Sequence, residues 1–491
     1  MKNSWKIKNN QLLSAIVFLN GAVIMSIEII GARTITPYFG TSIYVWTAVI
    51  GVILGALSLG YWQGGIIADK SASMFGLSKI FVVATLILAL TTTLQTPVLN
   101  FISDSFPSLR LQAGLASLVL FAPTTFFLGT VSPYVAKLAL TKLQQTGEII
   151  GKLYALGTFG SIAGTFMTGY YLINYVGIRQ LYWLFTVSIL ILAIICYVSS
   201  GKKISTKHSA LTILLGALFL SLSSNNITSQ AIVFAKDTAY ASYKVEERTY
   251  SGKPTRLLIT DNNGAQSGIF INEQFTPAFA YINSLSQVVE NKVEKPEKIL
   301  MIGGGTYTLP TILNNRYPNI KIDVVEIDPE LDKIAVEYFN YKPSKNINII
   351  HEDGRTFLNK SSNKYDLIIL DAYNSLRPPF HLMTSEAVVD MKKLLNRDGL
   401  IASNVIGSSS GERSEFASSI EKTMLANFTT VSTFYTAKKP ANQAQNLLYL
   451  ASESGDKIKE VSYSFEEVKI SDFGTVLTDN FAPTERMLGD F

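Results

Sequence analysis

The sequence predicts a helical membrane bundle over residues 1–235, a small antiparallel β-domain over 236–290 and a parallel α/β domain over 291–491. Three observations carry this. Charge is split unevenly along the chain, apolar segments of spanning length crowd its first half, and a strand in the second half runs straight into three glycines. Only Glu28, Asp69, Asp104 and Glu148 are acidic before residue 236, against fourteen Lys or Arg. The remainder holds 33 acidic and 28 basic residues, so the formal +5 hides two parts of opposite sign. A basic stretch this apolar points to lipid, not nucleic acid, as its partner.

Hydrophobic residues make up 48% of the chain, enough for a bundle and a soluble core together. Cys196 is the one cysteine, which excludes an intramolecular disulfide and a cysteine metal cluster. With three histidines in all, a zinc enzyme is not expected, and no metal is assigned.

About seven spans can be drawn, over 12–32, 43–64, 79–97, 111–136, 152–175, 179–199 and 209–224. Most approach the roughly 20 residues that cross hydrocarbon as helix. The last is short and runs into polar residues. Lys2, Lys6 and Lys8 precede the first span, Lys70 and Lys79 follow the second, and Lys137, Lys142 and Lys152 follow the fourth. Lys202, Lys203 and Lys207 follow the sixth. If every segment crosses, these groups share one face, which makes it cytoplasmic. A crossing seventh segment then places residues 236–491 outside. A re-entrant seventh segment, a miscounted span and an external domain all stay open. Gly51/Gly55, Gly60/Gly64 and Gly160/Gly164 have the spacing of close helix contacts, with a translocation path as the alternative. Glu28 and Arg33, near one end of the first span, read either as functional or as interfacial.

In the second half, alternating runs around Tyr243–Val245 and Arg256–Thr260, broken at Ser251-Gly252 and Asn263-Gly264, predict hairpins of a small sheet. A helix is expected from about Pro277 to Val289. Strand and helix patterns then alternate, favouring a parallel sheet covered on both faces. Lys298-Ile-Leu-Met-Ile-Gly303-Gly304-Gly305 is an apolar strand ending in glycines that admit a ligand to the backbone. Ile322-Asp-Val-Val-Glu326 is a second strand, ending in a carboxylate placed to accept from ribose hydroxyls. Together they predict nucleoside binding. Two more strands end in acids, at Asp353 (followed by Gly354) and at Asp371. Ligands sit beyond the carboxyl ends of such strands, so Glu326, Asp353 and Asp371 should meet in one crevice. Tyr373, Asn374, Arg377 and His381, in a loop stiffened by Pro378-Pro379, look like a substrate cover. His381 reads as a base or as a residue satisfying backbone groups.

These stretches resemble the spermidine synthase family, the polyamine aminopropyltransferases. The motifs are Asp261-Asn-Asn-Gly264-Ala-Gln266, Ile302-Gly-Gly-Gly305, Val325-Glu-Ile-Asp328, Glu352-Asp353-Gly354-Arg355 and Leu370-Asp371-Ala-Tyr373. Gly31-Ala-Arg33, Pro37-Tyr-Phe-Gly40, Gly64-Gly65-Ile-Ile-Ala-Asp69 and Thr478-Asp479-Asn480 through Arg486 fit the bacterial membrane-fused form. The resemblance implies a methyltransferase-type Rossmann-like fold after a small β-domain, in a multi-pass protein of the bacterial cytoplasmic membrane. It further implies that Gly303, Gly304, Gly305, Glu326, Asp353 and Gly354 hold decarboxylated S-adenosylmethionine or S-adenosylmethionine. Asp371 would be catalytic with Tyr373 as orienter, and Gln266, Asn374, Arg377 and His381 would face the substrate.

The departures from that family concern charge. Asn374 stands where a second loop acid is usual, and Thr306 where an acid follows the glycines. Asn272-Glu273-Gln274-Phe275 replaces an acidic-histidine segment, and Ala241 replaces a glutamine. A dicationic amine must be bound and deprotonated, so losing one of two acids removes charge complementarity. The expectation is aminopropyl transfer to an amine such as putrescine. Methyl transfer to a small or lipidic substrate is one alternative, and a non-catalytic nucleoside sensor coupled to a transporter or channel is another. The expected partners are the bilayer and the acceptor, with a homo-oligomer left open.

Overall fold

The computed structural model describes residues 2–39, 42–140, 146–202, 231–261, 264–273, 275–292, 294–373, 379–437 and 439–488. The chain divides into two compact units, Met1–Thr228 and Ser229–Phe491.

The first unit is helical. Helices α1 (Lys2–Phe39), α2 (Ile43–Ser71) and α3 (Met74–Ser105) are each long, and Ser42 and Ser73 cap the second and third through their hydroxyls. Next come α4 (Leu109–Leu120), α5 (Ala122–Ala139) and α6 (Thr146–Phe166), then a last long helix, Ile178–Ser199. Among the described residues, four helices are long and apolar enough to cross a bilayer, or up to five if a bent pair counts as one span. The expectation of about seven spans is therefore corrected. Segment 111–136 is broken: α4 and α5 meet at a 52° bend, with Pro123 at the start of α5. Segment 152–175 starts as α6, whose five glycines, three threonines, serine, lysine and glutamate dilute its apolar character. Its α-helical ladder then gives way to a π turn over Met167–Leu172. Segment 209–224 lies outside the described residues.

Glycine spacing divides into two physical cases. A methyl on Gly160 would run into the Phe18 carbonyl oxygen, and one on Gly164 into that of Ala22, so α6 rides directly on α1. On Gly60 it would meet the Phe126 carbonyl, and on Gly64 the Thr130 backbone at 2.6 Å, which seats α2 on α5. Gly51 and Gly55 face open space. Close approach lets hydroxyls cross-link the helices: Thr168 donates to Ser26 Oγ at 2.8 Å, and Thr34 Oγ1 lies 2.9 Å from the Tyr182 hydroxyl. Overpacking a tight contact costs about 1–3 kcal/mol. Gly164→Leu should accordingly lower the melting temperature of the detergent-solubilised protein, whereas Gly55→Leu should leave it unchanged.

The second unit opens with a four-stranded antiparallel sheet in the order β1 (Ile232–Asp237), β2 (Ser242–Tyr250), β3 (Lys253–Thr260), β4 (Ala265–Phe270). Ser251 and Gly252, both at positive φ, make the two-residue turn between β2 and β3. The helix Ala280–Asn291 leads into a seven-stranded sheet in the order β10-β11-β9-β8-β5-β6-β7. Its strands are β5 (Lys298–Ile302), β6 (Lys321–Glu326), β7 (Ile347–His351), β8 (Tyr365–Leu370), β9 (Leu395–Gly407), β10 (Thr430–Tyr435) and β11 (Gln445–Ser452). Strands β5 to β9 pair in parallel, and β11 then joins β9 and β10 antiparallel.

Both faces of this sheet are covered, which explains its unbroken apolar runs. Leu300, Ile302, Ile368 and Leu370 pack into one core, and Ile299, Met301, Leu367 and Ile369 into the other. The C-terminal motif acts as a clasp. Asp479 pairs with Arg355 at 2.9 Å and accepts from Thr384 Oγ1 at 2.6 Å, while its N–H donates to Glu386 at 3.0 Å.

Candidate active site

A cleft of about 470 Å³ lies beyond the carboxyl ends of the parallel strands. Its volume falls within the range of small-molecule sites. One end is built by β5, β6 and β7. Gly303 has φ +91° and Gly305 φ +53°, conformations that side chains resist. A methyl on Gly303 would strike the Asp371 carbonyl oxygen, so the glycine turn is pressed against the end of β8. Glu326 finishes β6 with its carboxylate folded over the turn. Its Oε2 accepts from the N–H of Gly304 at 2.9 Å and of Gly305 at 3.2 Å, and its Oε1 from that of Asp328 at 3.1 Å. Burial pushes the Glu326 carboxyl above its ordinary range, despite these three donors.

Asp353 caps the helix Gly354–Lys360, with Oδ1 accepting from Thr356 N–H at 2.9 Å. Its Oδ2 lies 3.3 Å from His381 Nε2. Burial raises this carboxyl, but the Thr356 amide and His381 outweigh it and hold it below the usual range. Gly354 is packed on β5, where a methyl would meet Ile302 at 2.7 Å.

The other end is built by β8, β9 and β11. Asp371 follows β8 and accepts from Asn404 Nδ2 at 2.9 Å. The Tyr281 hydroxyl, 3.2 Å from the Gln266 carbonyl, is also within hydrogen-bond reach of Asp371. Burial pushes Asp371 up to about 6, against the opposing pull of Asn404 and Tyr281. Asn404 Oδ1 in turn accepts from Asn446 Nδ2 at 2.9 Å. Beside Asn446, Gln445 Oε1 accepts from the Lys439 N–H at 3.1 Å, which brings Lys439 to the same wall.

The crevice thus gathers Glu326, Asp353 and Asp371 with the glycine triplet, Gln266, Tyr373 and His381. Asn374 and Arg377 lie outside the described residues. His381 stands against Asp353 at the β7 end, not against Asp371. Gln266 ties the small sheet to the loop after β8, with Nε2 donating to Tyr373 O at 2.8 Å and Oε1 accepting from Thr260 at 2.6 Å. Tyr373 donates to Asn404 O at 2.9 Å and accepts from Ile406 N–H at 2.7 Å. Its hydroxyl pins the loop to β9. Tyr373→Phe should therefore cost about 1–3 kcal/mol through the unpaired Ile406 amide. A lowered melting temperature with an unshifted pH–rate inflection would be the signature. Thr306, after the glycines, is buried and shares a 2.9 Å hydrogen bond with Thr308. Among the described residues, no three His, Cys, Asp or Glu side chains converge as a metal site.

Asn404, Tyr281, Asn446 and Lys439 were not singled out by the sequence. Asn404 did leave a trace there, as an amide inside the apolar run Leu400–Ile406.

Known proteins resemble part of the second unit. Residues 278–460 match the family described as the spermine/spermidine synthase domain. The chain is a relative of the polyamine aminopropyltransferases. One such enzyme, from Vibrio vulnificus, is 40% identical over 118 residues, covering 23% of this chain and 40% of the relative. A probable polyamine aminopropyl transferase from Bifidobacterium longum is 30% identical over 214 residues, covering 38% of this chain and 48% of the relative. The chain thus spans about half the length of these relatives, or less. A probable spermidine synthase from Corynebacterium glutamicum superposes with TM-score 0.43 at 18% identity, covering 51% of this chain and 96% of that one. The aminopropyltransferase-like stretch contains both ends of the cleft, from Tyr281 to Asn446.

Proposed function

We propose that the second unit transfers an aminopropyl group from decarboxylated S-adenosylmethionine to an amine, with the apolar helices holding the enzyme at a bacterial membrane. One observation carries the reading. A carboxyl poised near 6, Asp371, faces the same cleft as the glycine turn and Glu326, across neighbouring strand ends.

The residues present fit a nucleoside. An ionised carboxylate offers about four acceptor positions, and the backbone takes three at Glu326, which leaves room for a ribose hydroxyl. Gly303 and Gly305 let the main chain approach the ligand, and Asp353 stands at the β7 end for an exocyclic amine. The bound sulfonium supplies an electrophilic carbon with a neutral thioether as leaving group. Asp371 takes the proton from the incoming ammonium, freeing the nitrogen lone pair. Asn404 and Tyr281 hold the Asp371 carboxyl in place. The Tyr281 hydroxyl carries one proton, so it serves either Asp371 or Gln266 O at a time.

The test is incubation of the purified full-length protein with an amine mixture and either decarboxylated or intact S-adenosylmethionine. Mass spectrometry should find an acceptor heavier by an aminopropyl group, together with released 5′-methylthioadenosine. A methylated acceptor, or release with neither donor, would reject the reading.

A further inference from the structure

The wall of the cleft beyond Asp371 has the wrong charge for a second ammonium. Among the described residues, four carboxylates line the cleft: Glu326, Glu352, Asp353 and Asp371. Three are engaged at the nucleoside end. Glu326 holds backbone amides, Glu352 pairs with Lys360 at 2.7 Å, and Asp353 caps a helix and meets His381. Asp371 alone stands at the β8–β9–β11 end. Outward from it the wall continues as the amides of Asn404, Asn446 and Gln445, and ends at Lys439.

Neighbouring loops add no acid. The sequence from Ala372 to Leu382 contains Arg377 and His381 but no Asp or Glu, and that from Thr436 to Asn446 contains Lys438 and Lys439 but no Asp or Glu. Glu273, in the small-sheet segment, is bound to Lys253 at 2.5 Å. Among the described residues, no carboxylate pairs with Lys439, which is exposed. A diamine seated on Asp371 would extend its second ammonium along amides towards a lysine.

We infer that the acceptor is a primary amine whose other end carries an anion, with Asp371 taking the ammonium end and Lys439 the anionic end. The inference rests on the aminopropyl-transfer reading above. The amine nitrogen forms a bond to the aminopropyl carbon as the carbon–sulfur bond breaks. Sulfur keeps that electron pair as a neutral thioether, and the ammonium proton passes to Asp371. Such an acceptor comes from two sources, a free amino acid or amino phosphate, or an aminophospholipid headgroup.

The experiment uses the full-length protein in nanodiscs with decarboxylated S-adenosylmethionine, read as 5′-methylthioadenosine release and product mass. The acceptors are putrescine, 4-aminobutanoate and phosphoethanolamine in phosphatidylcholine discs, and phosphatidylethanolamine built into the disc. At least one anionic amine should exceed putrescine in kcat/KM by about fivefold or more, from the rim charge alone. Turnover of the headgroup alone would assign the lipid source, and turnover of the soluble pair alone the free one. Lys439→Glu should shift the ratio towards putrescine by about tenfold or more. Putrescine preferred by the unaltered protein, or a ratio indifferent to Lys439→Glu, would overturn the inference and leave aminopropyl transfer standing. No nucleoside release with any acceptor would instead remove the transfer reading, and this inference with it.

Discussion

Asp371→Asn should slow amine transfer by about 10²–10⁴-fold, the usual worth of a positioned general base. Affinity for the nucleoside should stay within error by calorimetry, because Asp371 lies across the glycine turn from Glu326. Asparagine keeps the shape and can still meet Asn404, so the loss would report proton acceptance. The sign of the pH dependence follows from burial. Asp371 accepts a proton only when ionised, and its carboxyl is pushed up to about 6. In the unaltered protein kcat/KM should rise with pH through about 6 and level above it, and the variant should lack that limb.

Stability should run the other way. A carboxyl raised from its unfolded value of about 4 binds its proton more tightly in the native state, so stability falls as pH climbs from about 4 towards 6. The asparagine variant removes that cost, and at pH 8 its melting temperature should equal or exceed that of the parent. A lower melting temperature together with lost turnover would reassign Asp371 to structure.

Glu326→Ala should weaken binding of 5′-methylthioadenosine and of decarboxylated S-adenosylmethionine by about 10–100-fold, the worth of a charge-assisted hydrogen bond. The effect has two parts. One is the missing acceptor for ribose, and the other is the release of the Gly304 and Gly305 amides that Glu326 now holds. Glu326→Gln separates them, because an amide oxygen can still accept from the glycine turn while its NH₂ cannot. Titration calorimetry on all three proteins would measure both parts. Unchanged affinity in the alanine variant would remove the nucleoside from this end of the cleft.

The sequence carried the Gly303–Glu326 end of the cleft because each of its parts is local. Lys298–Gly305 and Ile322–Glu326 are single strands that end in their own ligand-facing groups, and the parallel-sheet rule then brings those ends together. The Asp371 end is assembled differently. Asn404 sits beside Asp371 because β9 is inserted between β8 and β11, and Asn446 arrives on an antiparallel strand that returns from the far edge. Tyr281 reaches Asp371 from the helix preceding the sheet. No spacing along the chain encodes these meetings. Tyr373 shows a related limit: its position beside Asp371 was legible, but its bond to the β9 backbone was not. In the first half, apolarity marked helices without saying which were continuous: the bend at Phe121 and the glycine-rich α6 account for two of the segments drawn as spans, and 209–224 lies outside the described residues.

The hairpin of β10 and β11 is joined to the sheet through β9 alone, and the loop between its strands carries Lys439. The glycine turn, Glu326 and Asp353, over β5 to β7, owe nothing to that hairpin. If aminopropyl transfer holds, the choice of acceptor could be retooled by editing one short connection at the sheet margin, while the glycine turn and Glu326 stay intact. Grafting residues 436–444 between cousins would be the direct way to move selectivity from one to another.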